Sequence, residues 1–100
     1  MSERFRDEFI PFVRIWCERN ANQVSRCYAA LDQGYPSVYV VGTQPKTDRE
    51  ALGRPLADLS QTLKRRGWQC NVVQIPCEEA EHYEAFLEAE AAVLVFGEVA

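Results

Sequence analysis

Three short apolar or β-branched runs, Ser37–Val41, Trp68–Ile75 and Ala91–Phe96, alternate with stretches of helical periodicity, and this constrains the fold more than any other feature. Strands separated by helices predict a parallel sheet with the helices crossing over its faces. The first intervening stretch opens at Thr47, which with Glu50 has the spacing of a capping box. It is interrupted at Gly53-Arg54-Pro55, where Pro55 suits the first turn of a second piece. Leu56, Leu59 and Leu63 then line one face before Gly67. A second stretch, Glu78 to Glu90, carries Tyr83, Phe86 and Leu87 on its apolar side. The run Ala91–Phe96 is continuously apolar, which predicts a strand buried on both faces.

Ahead of this alternation, residues 3 to about 32 read as helix. Phe5, Phe9, Phe12, Val13 and Trp16 form one apolar stripe, and Val24, Cys27, Tyr28 and Leu31 continue at helical spacing. Pro11 predicts a kink or a fresh start, Asn20-Ala-Asn22 a weak point, and Gly34-Tyr35-Pro36 the end. The expected fold is therefore α/β: an N-terminal helical segment (1–34) followed by a βαβαβ unit (37–98) with a small, mainly parallel three-stranded sheet. With 100 residues, the chain has room for one such domain.

The order of elements from Val38 to Glu98 resembles the first half of a receiver domain of two-component signalling, or a Rossmann-like half. The strand Val38–Val41, the helix ending Lys64-Arg65-Arg66-Gly67-Trp68, and the strands Val72–Ile75 and Val93–Phe96 carry the likeness. Receiver chemistry is not implied with it. Gly42 and Thr43 stand where the acid pair that holds magnesium would be, and the phosphoacceptor position falls near Gly97 and Glu98. A looser likeness, to TIR or nucleoside deoxyribosyltransferase domains, rests on strand-Gly-Thr followed by Asp48-Arg49-Glu50 and the leucine-bearing helix.

Several function classes are excluded by composition. Residues 1–66 hold all 11 Lys and Arg against 8 acids, a balance of +3, whereas residues 67–100 hold 7 Glu and no base, making up the net −4. Phosphate contacts dominate nucleic-acid affinity, so an acidic chain with an uncompensated acidic third is not expected to bind nucleic acid. Lys64-Arg65-Arg66 instead complements a helix C-terminus. Charges interrupt every apolar run, and the N-terminus lacks the basic-then-apolar order of a secretory signal, so a soluble, cytoplasmic protein with no membrane contact is expected. Cys17, Cys27, Cys70 and Cys77 are too sparse for a disulfide scaffold and, with a single histidine, His82, make no zinc set. No cofactor fingerprint is present, and no catalytic constellation stands out.

Two kinds of site remain. The loop Gly42-Thr43-Gln44-Pro45-Lys46-Thr47 follows a strand, where open α/β sheets bind ligands, and Thr43, Lys46 and Thr47 suit an anion. Cys77 also begins a helix, but Glu78, Glu79 and Glu81 oppose a thiolate there. The aromatic stripe Phe5, Phe9, Phe12 and Trp16 suits a docking helix, and Glu81, Glu84 and Glu88 form an acidic face that would attract a basic partner. A three-stranded sheet offers little surface to cover both that stripe and two crossover helices. These features favour a non-catalytic regulatory, adaptor or inhibitor protein that binds another protein, a second copy included as a homodimer. The alternative is a small-ligand or nucleotide-binding domain built on the Thr43–Thr47 loop.

Overall fold

The turn at Gln33-Gly34 organises the molecule. Both residues have positive φ, 52° and 83°, the two-residue hairpin geometry whose twist matches the flanking strands. Glycine takes such a φ at no steric cost. The computed structural model describes residues 3–43 and 50–97, with Glu50 and Ala51 described by backbone alone. In it the turn joins β1 (Val24–Asp32) to β2 (Tyr35–Gly42) as an antiparallel hairpin. Asp32 and Tyr35 close the loop, which makes Leu31–Pro36 the next, non-hydrogen-bonded pair. Pairing with β3 begins only at Ser37. Pro36 therefore costs the sheet no ladder bond although it sits in an interior strand.

Around the hairpin lie α1 (Ile10–Arg19), α2 (Glu50–Arg65), β3 (Asn71–Ile75), α3 (Glu84–Ala89) and β4 (Val93–Phe96). A π-helical turn, Phe5–Phe9, leads into α1, and a 3-10 turn, Cys77–Tyr83, leads into α3. The sheet order is β3-β2-β1-β4, with β2 and β3 parallel and β1 antiparallel to both β2 and β4.

The expected βαβαβ unit with its three-stranded, mainly parallel sheet is thus overturned. The sheet is mixed and has four strands, and the boundary between N-terminal helices at 1–34 and a later α/β unit disappears. Residues 24–32 supply an interior strand, and an antiparallel strand there also breaks the parallel order on which the receiver likeness rested. Both faces of β1 are covered. Cys27 and Ala29 face one cluster, Ala30 the other, so residues 27–31 are apolar or aromatic at every position instead of alternating. β4, expected to be buried on both faces, is an edge strand whose Val95 alone is buried.

Alternation along the strands sorts the core into two layers. Val38 and Val40 pack with Phe5, Phe9, Val13 and Cys17 of the N-terminal helical segment and with Leu52, Leu59 and Leu63 of α2. Tyr39, Val41 and Ile75 face the other way, onto Ala80 and Leu87 of the Cys77–Ala89 segment. Pro11 opens α1 directly after a π-helical turn, a local widening of the helix beside which a proline is accommodated. Ahead of it, the Ile10 N–H bonds the Phe5 carbonyl in the wider π register. Contrary to the expected interruption at Gly53–Pro55, α2 is continuous with Pro55 inside it. It ends in a Schellman motif, with Trp68 N–H donating to the Leu63 carbonyl and Gly67 N–H to that of Lys64. No helix among the described residues is long and apolar enough to cross a membrane.

Candidate functional site

The aromatic stripe divides between two roles. Phe5 and Phe9 are buried, 5.2 Å apart in a stack, and Phe9 meets the edge of Trp68 at 4.9 Å. Full burial of each contributes about 1.5–3 kcal/mol, so these rings belong to the core. Phe12 and Trp16 are half-buried, one and two turns further along, and line a groove with Ile15, which is 49% exposed. Leu59 forms the floor from α2, and Asp58, Thr62 and Arg66 continue its wall. The groove has a volume of about 270 Å³.

Its two walls are helix faces read at their own period: Phe12, Ile15, Trp16 and Arg19 at i, i+3, i+4 and i+7, facing Asp58, Thr62 and Arg66 at i, i+4 and i+8. The Arg66 guanidinium lies over the Phe12 ring, 4.5 Å from its centroid. The end of α2 therefore meets the beginning of α1, and the helices run antiparallel. Arg66 and Arg19 consequently mark opposite ends of the groove. Among the described residues, the ion pairs are Arg4–Glu8 and Arg6–Asp7, which leaves both groove arginines without a carboxylate partner. Arg4 continues the basic rim past Phe12. Its guanidinium sits 4.4 Å from the Trp68 centroid and donates to the Arg66 carbonyl, tying the N-terminal turn to the end of α2.

The acidic face lies on the other side of the sheet. Glu81, Glu84 and Glu88 are all exposed on the 3-10 turn and α3. Beside them Phe86 is 43% exposed, held edge-on by Tyr39 at 5.6 Å and Tyr83 at 6.4 Å. The exposed remainder of the aromatic stripe and the acidic face lie on opposite sides of the sheet, and the structure does not bring them together within one chain. Ile15 and Phe86 were missed. Ile15 falls at i+3 from Phe12, a signal available in the sequence, whereas the α2 wall is brought opposite only by the fold.

At the loop after β2, Thr43 is exposed and its hydroxyl donates to the Asn22 carbonyl at 3.1 Å, which fastens the strand end. Lys46 and Thr47, together with the Thr47–Glu50 cap, lie outside the described residues. Cys77 is half-buried, with its thiol 3.7 Å from the Glu78 carboxylate. Cys17 and Cys27 are fully buried between α1 and β1. Hydrogen bonding to the Cys17 thiol, reinforced by burial, holds the Cys27 thiol well above its ordinary range. Cys70 is also raised, by burial, against a lowering influence from Lys64. Among the described residues no group of three His, Cys, Asp or Glu side chains is arranged to hold a metal ion.

The result is a 270 Å³ trough with an apolar floor, an exposed isoleucine, a guanidinium toward each end and the Asp58 carboxylate on one wall. It can desolvate apolar side chains while pairing carboxylates at its rim. No protein-family model matches the chain, and no match is found among curated proteins or solved structures.

Proposed function

We propose that this chain is a non-catalytic protein-binding module whose α1–α2 groove receives an amphipathic helix carrying acidic residues. The observation that carries this reading is half-exposed Ile15, between Phe12 and Trp16, in a groove whose Arg19 and Arg66 form no ion pair among the described residues. A helix laid in a groove uses anchors at i, i+3, i+4 and i+7, the spacing the α1 wall itself presents. Arginine and large aromatics are the residues that most often dominate binding energy once desolvated. Carboxylates on the incoming helix answer Arg19 and Arg66, whereas lysines there would meet like charge. A regulatory or adaptor role follows from a module that binds and does no chemistry of its own.

The test uses two labelled helical peptides with the same apolar face, one with glutamates and one with lysines on its flanks, titrated by fluorescence anisotropy. The acidic peptide should bind, weaken with salt and lose about tenfold or more in affinity with Ile15→Glu or Arg66→Glu. Equal binding of both peptides, or binding indifferent to these substitutions, would remove the groove from the account.

A further inference from the structure

The partner chemistry that the groove calls for is displayed by the chain itself. The segment 77–90 holds six glutamates and no lysine or arginine. Helical spacing places Ala85 and Ala89, both exposed, along the crest of α3. Phe86 stands on one flank of that crest and Glu84 and Glu88 on the other. A crest of alanines lets a helix sink close to a neighbour, and Phe86 is already held upright by Tyr39 and Tyr83.

We propose that the α1–α2 groove of one molecule receives the α3 crest of a second copy, with Phe86 against Ile15 and Trp16 and the glutamates against Arg19 and Arg66. This rests on the groove reading above and names its occupant. The spans agree: Phe12, over which Arg66 lies, is seven residues of α1 from Arg19, about 10 Å. Glu81 and Glu88 are also seven residues apart, about 10–12 Å across the 3-10 and α-helical turns. Charge also selects the orientation. Groove against groove would oppose arginines, and crest against crest would oppose glutamates, so neither two-fold arrangement is favoured. Groove and crest lie on opposite faces of one sheet. The contact is therefore head-to-tail, and each added copy leaves one groove and one crest free.

Sedimentation velocity over a rising concentration series tests this with the full chain. In low salt the wild type should grow in mean mass with concentration, and in high salt it should fall back toward monomer. Ile15→Glu destroys the groove and Phe86→Lys the crest. Both positions are exposed, and circular dichroism is the check that each variant is folded. Each alone should remain monomeric, with association weakened about tenfold or more. Mixed in equal amounts they should form a one-to-one pair and nothing larger, because each supplies the surface the other lacks. Arg66→Ala and Glu84→Lys/Glu88→Lys repeat the cross with charges alone. A wild type that is monomeric at every concentration, yet binds the acidic peptide, overturns the second-copy assignment and leaves the groove reading standing. A single variant that still assembles like the wild type shows an isologous contact through its intact surface, and a mixture that stays monomeric while the wild type assembles shows that groove and crest do not meet; either overturns the head-to-tail arrangement.

Discussion

Replacing Phe9 with alanine tests whether the N-terminal turn is core or coat. The ring is fully buried and loses its stack with Phe5 at 5.2 Å and its edge contact with Trp68 at 4.9 Å. Truncating a buried phenylalanine costs about 3–5 kcal/mol, and two aromatic contacts, each about 0.5–1.5 kcal/mol beyond area, place this site toward the upper end. A domain of this size holds about 5–15 kcal/mol in total, so the substitution removes a large share of it. At about 4–8 °C per kcal/mol, Tm should fall by about 15–40 °C. The matched control is Ile15→Ala. About half of that side chain is already in water, so at most about half of the 1.5–3 kcal/mol of a fully buried residue is lost, roughly 1 kcal/mol. Urea unfolding followed by tryptophan fluorescence and circular dichroism reads both. Trp68 reports directly on the Phe9 contact. A cost under about 1 kcal/mol for Phe9→Ala, or an equal cost for Ile15→Ala, would place Phe9 outside the core.

Three other outcomes follow from backbone geometry and burial. Ala91 closes α3 with φ 56° and with Ala92 N–H bonded to the Leu87 carbonyl, a position that costs a side chain about 1–2 kcal/mol. Ala91→Gly should therefore stabilise the domain by about 0.5–1 kcal/mol in urea unfolding, after glycine's own entropy cost. Gly97→Ala should destabilise it by about 1–3 kcal/mol, because the added Cβ would fall 2.5 Å from the Ser25 carbonyl oxygen and 2.9 Å from Arg26 Cγ; an unchanged midpoint would show that β1 and β4 are not pressed together there. The raised Cys27 thiol keeps its proton in the folded state where the unfolded chain loses it. Stability should thus be whole below about pH 8.5 and fall above it by up to about 1.4 kcal/mol per pH unit, a slope that Cys27→Ala reduces.

The fold is legible in the sequence where period and length agree, and illegible where two periods fit one segment. β2, the later part of α2, and the strands ending at Ile75 and Phe96 are legible because β-branched runs and leucine spacing leave one reading. Val24, Cys27, Tyr28 and Leu31 fit a helical stripe, yet the same residues suit a strand covered on both faces, and periodicity does not separate the two. The deciding signal is Gln33-Gly34, two residues between two apolar runs, which favours a hairpin. With Pro36 close behind, it resembles a helix terminator instead. That single substitution of turn for terminator converts a mixed sheet into a parallel one on paper. At the candidate site, half of one wall was visible in Phe12 and Trp16. The other wall depends on α2 lying antiparallel to α1, a tertiary relation that no local spacing encodes. The acidic face was legible as an exposed stripe, but Phe86 read as apolar packing, since helical spacing alone does not reveal how little of the sheet a six-residue helix covers.

The strand order β3-β2-β1-β4 also bears on how the chain assembles as it is made. The hairpin occupies the middle of the sheet and is complete once residue 42 has been synthesised. A hairpin closes in microseconds, whereas synthesis adds only about 5–20 residues per second. β3 therefore meets a finished edge on one side, and β4 arrives last to find the other. The sheet grows outward in the order of translation, and no strand must be threaded between two already in place. Its final strand is four residues long and pairs with β1 alone, and α1 secures it from the side, the Arg14 guanidinium donating to the Val95 carbonyl at 3.1 Å.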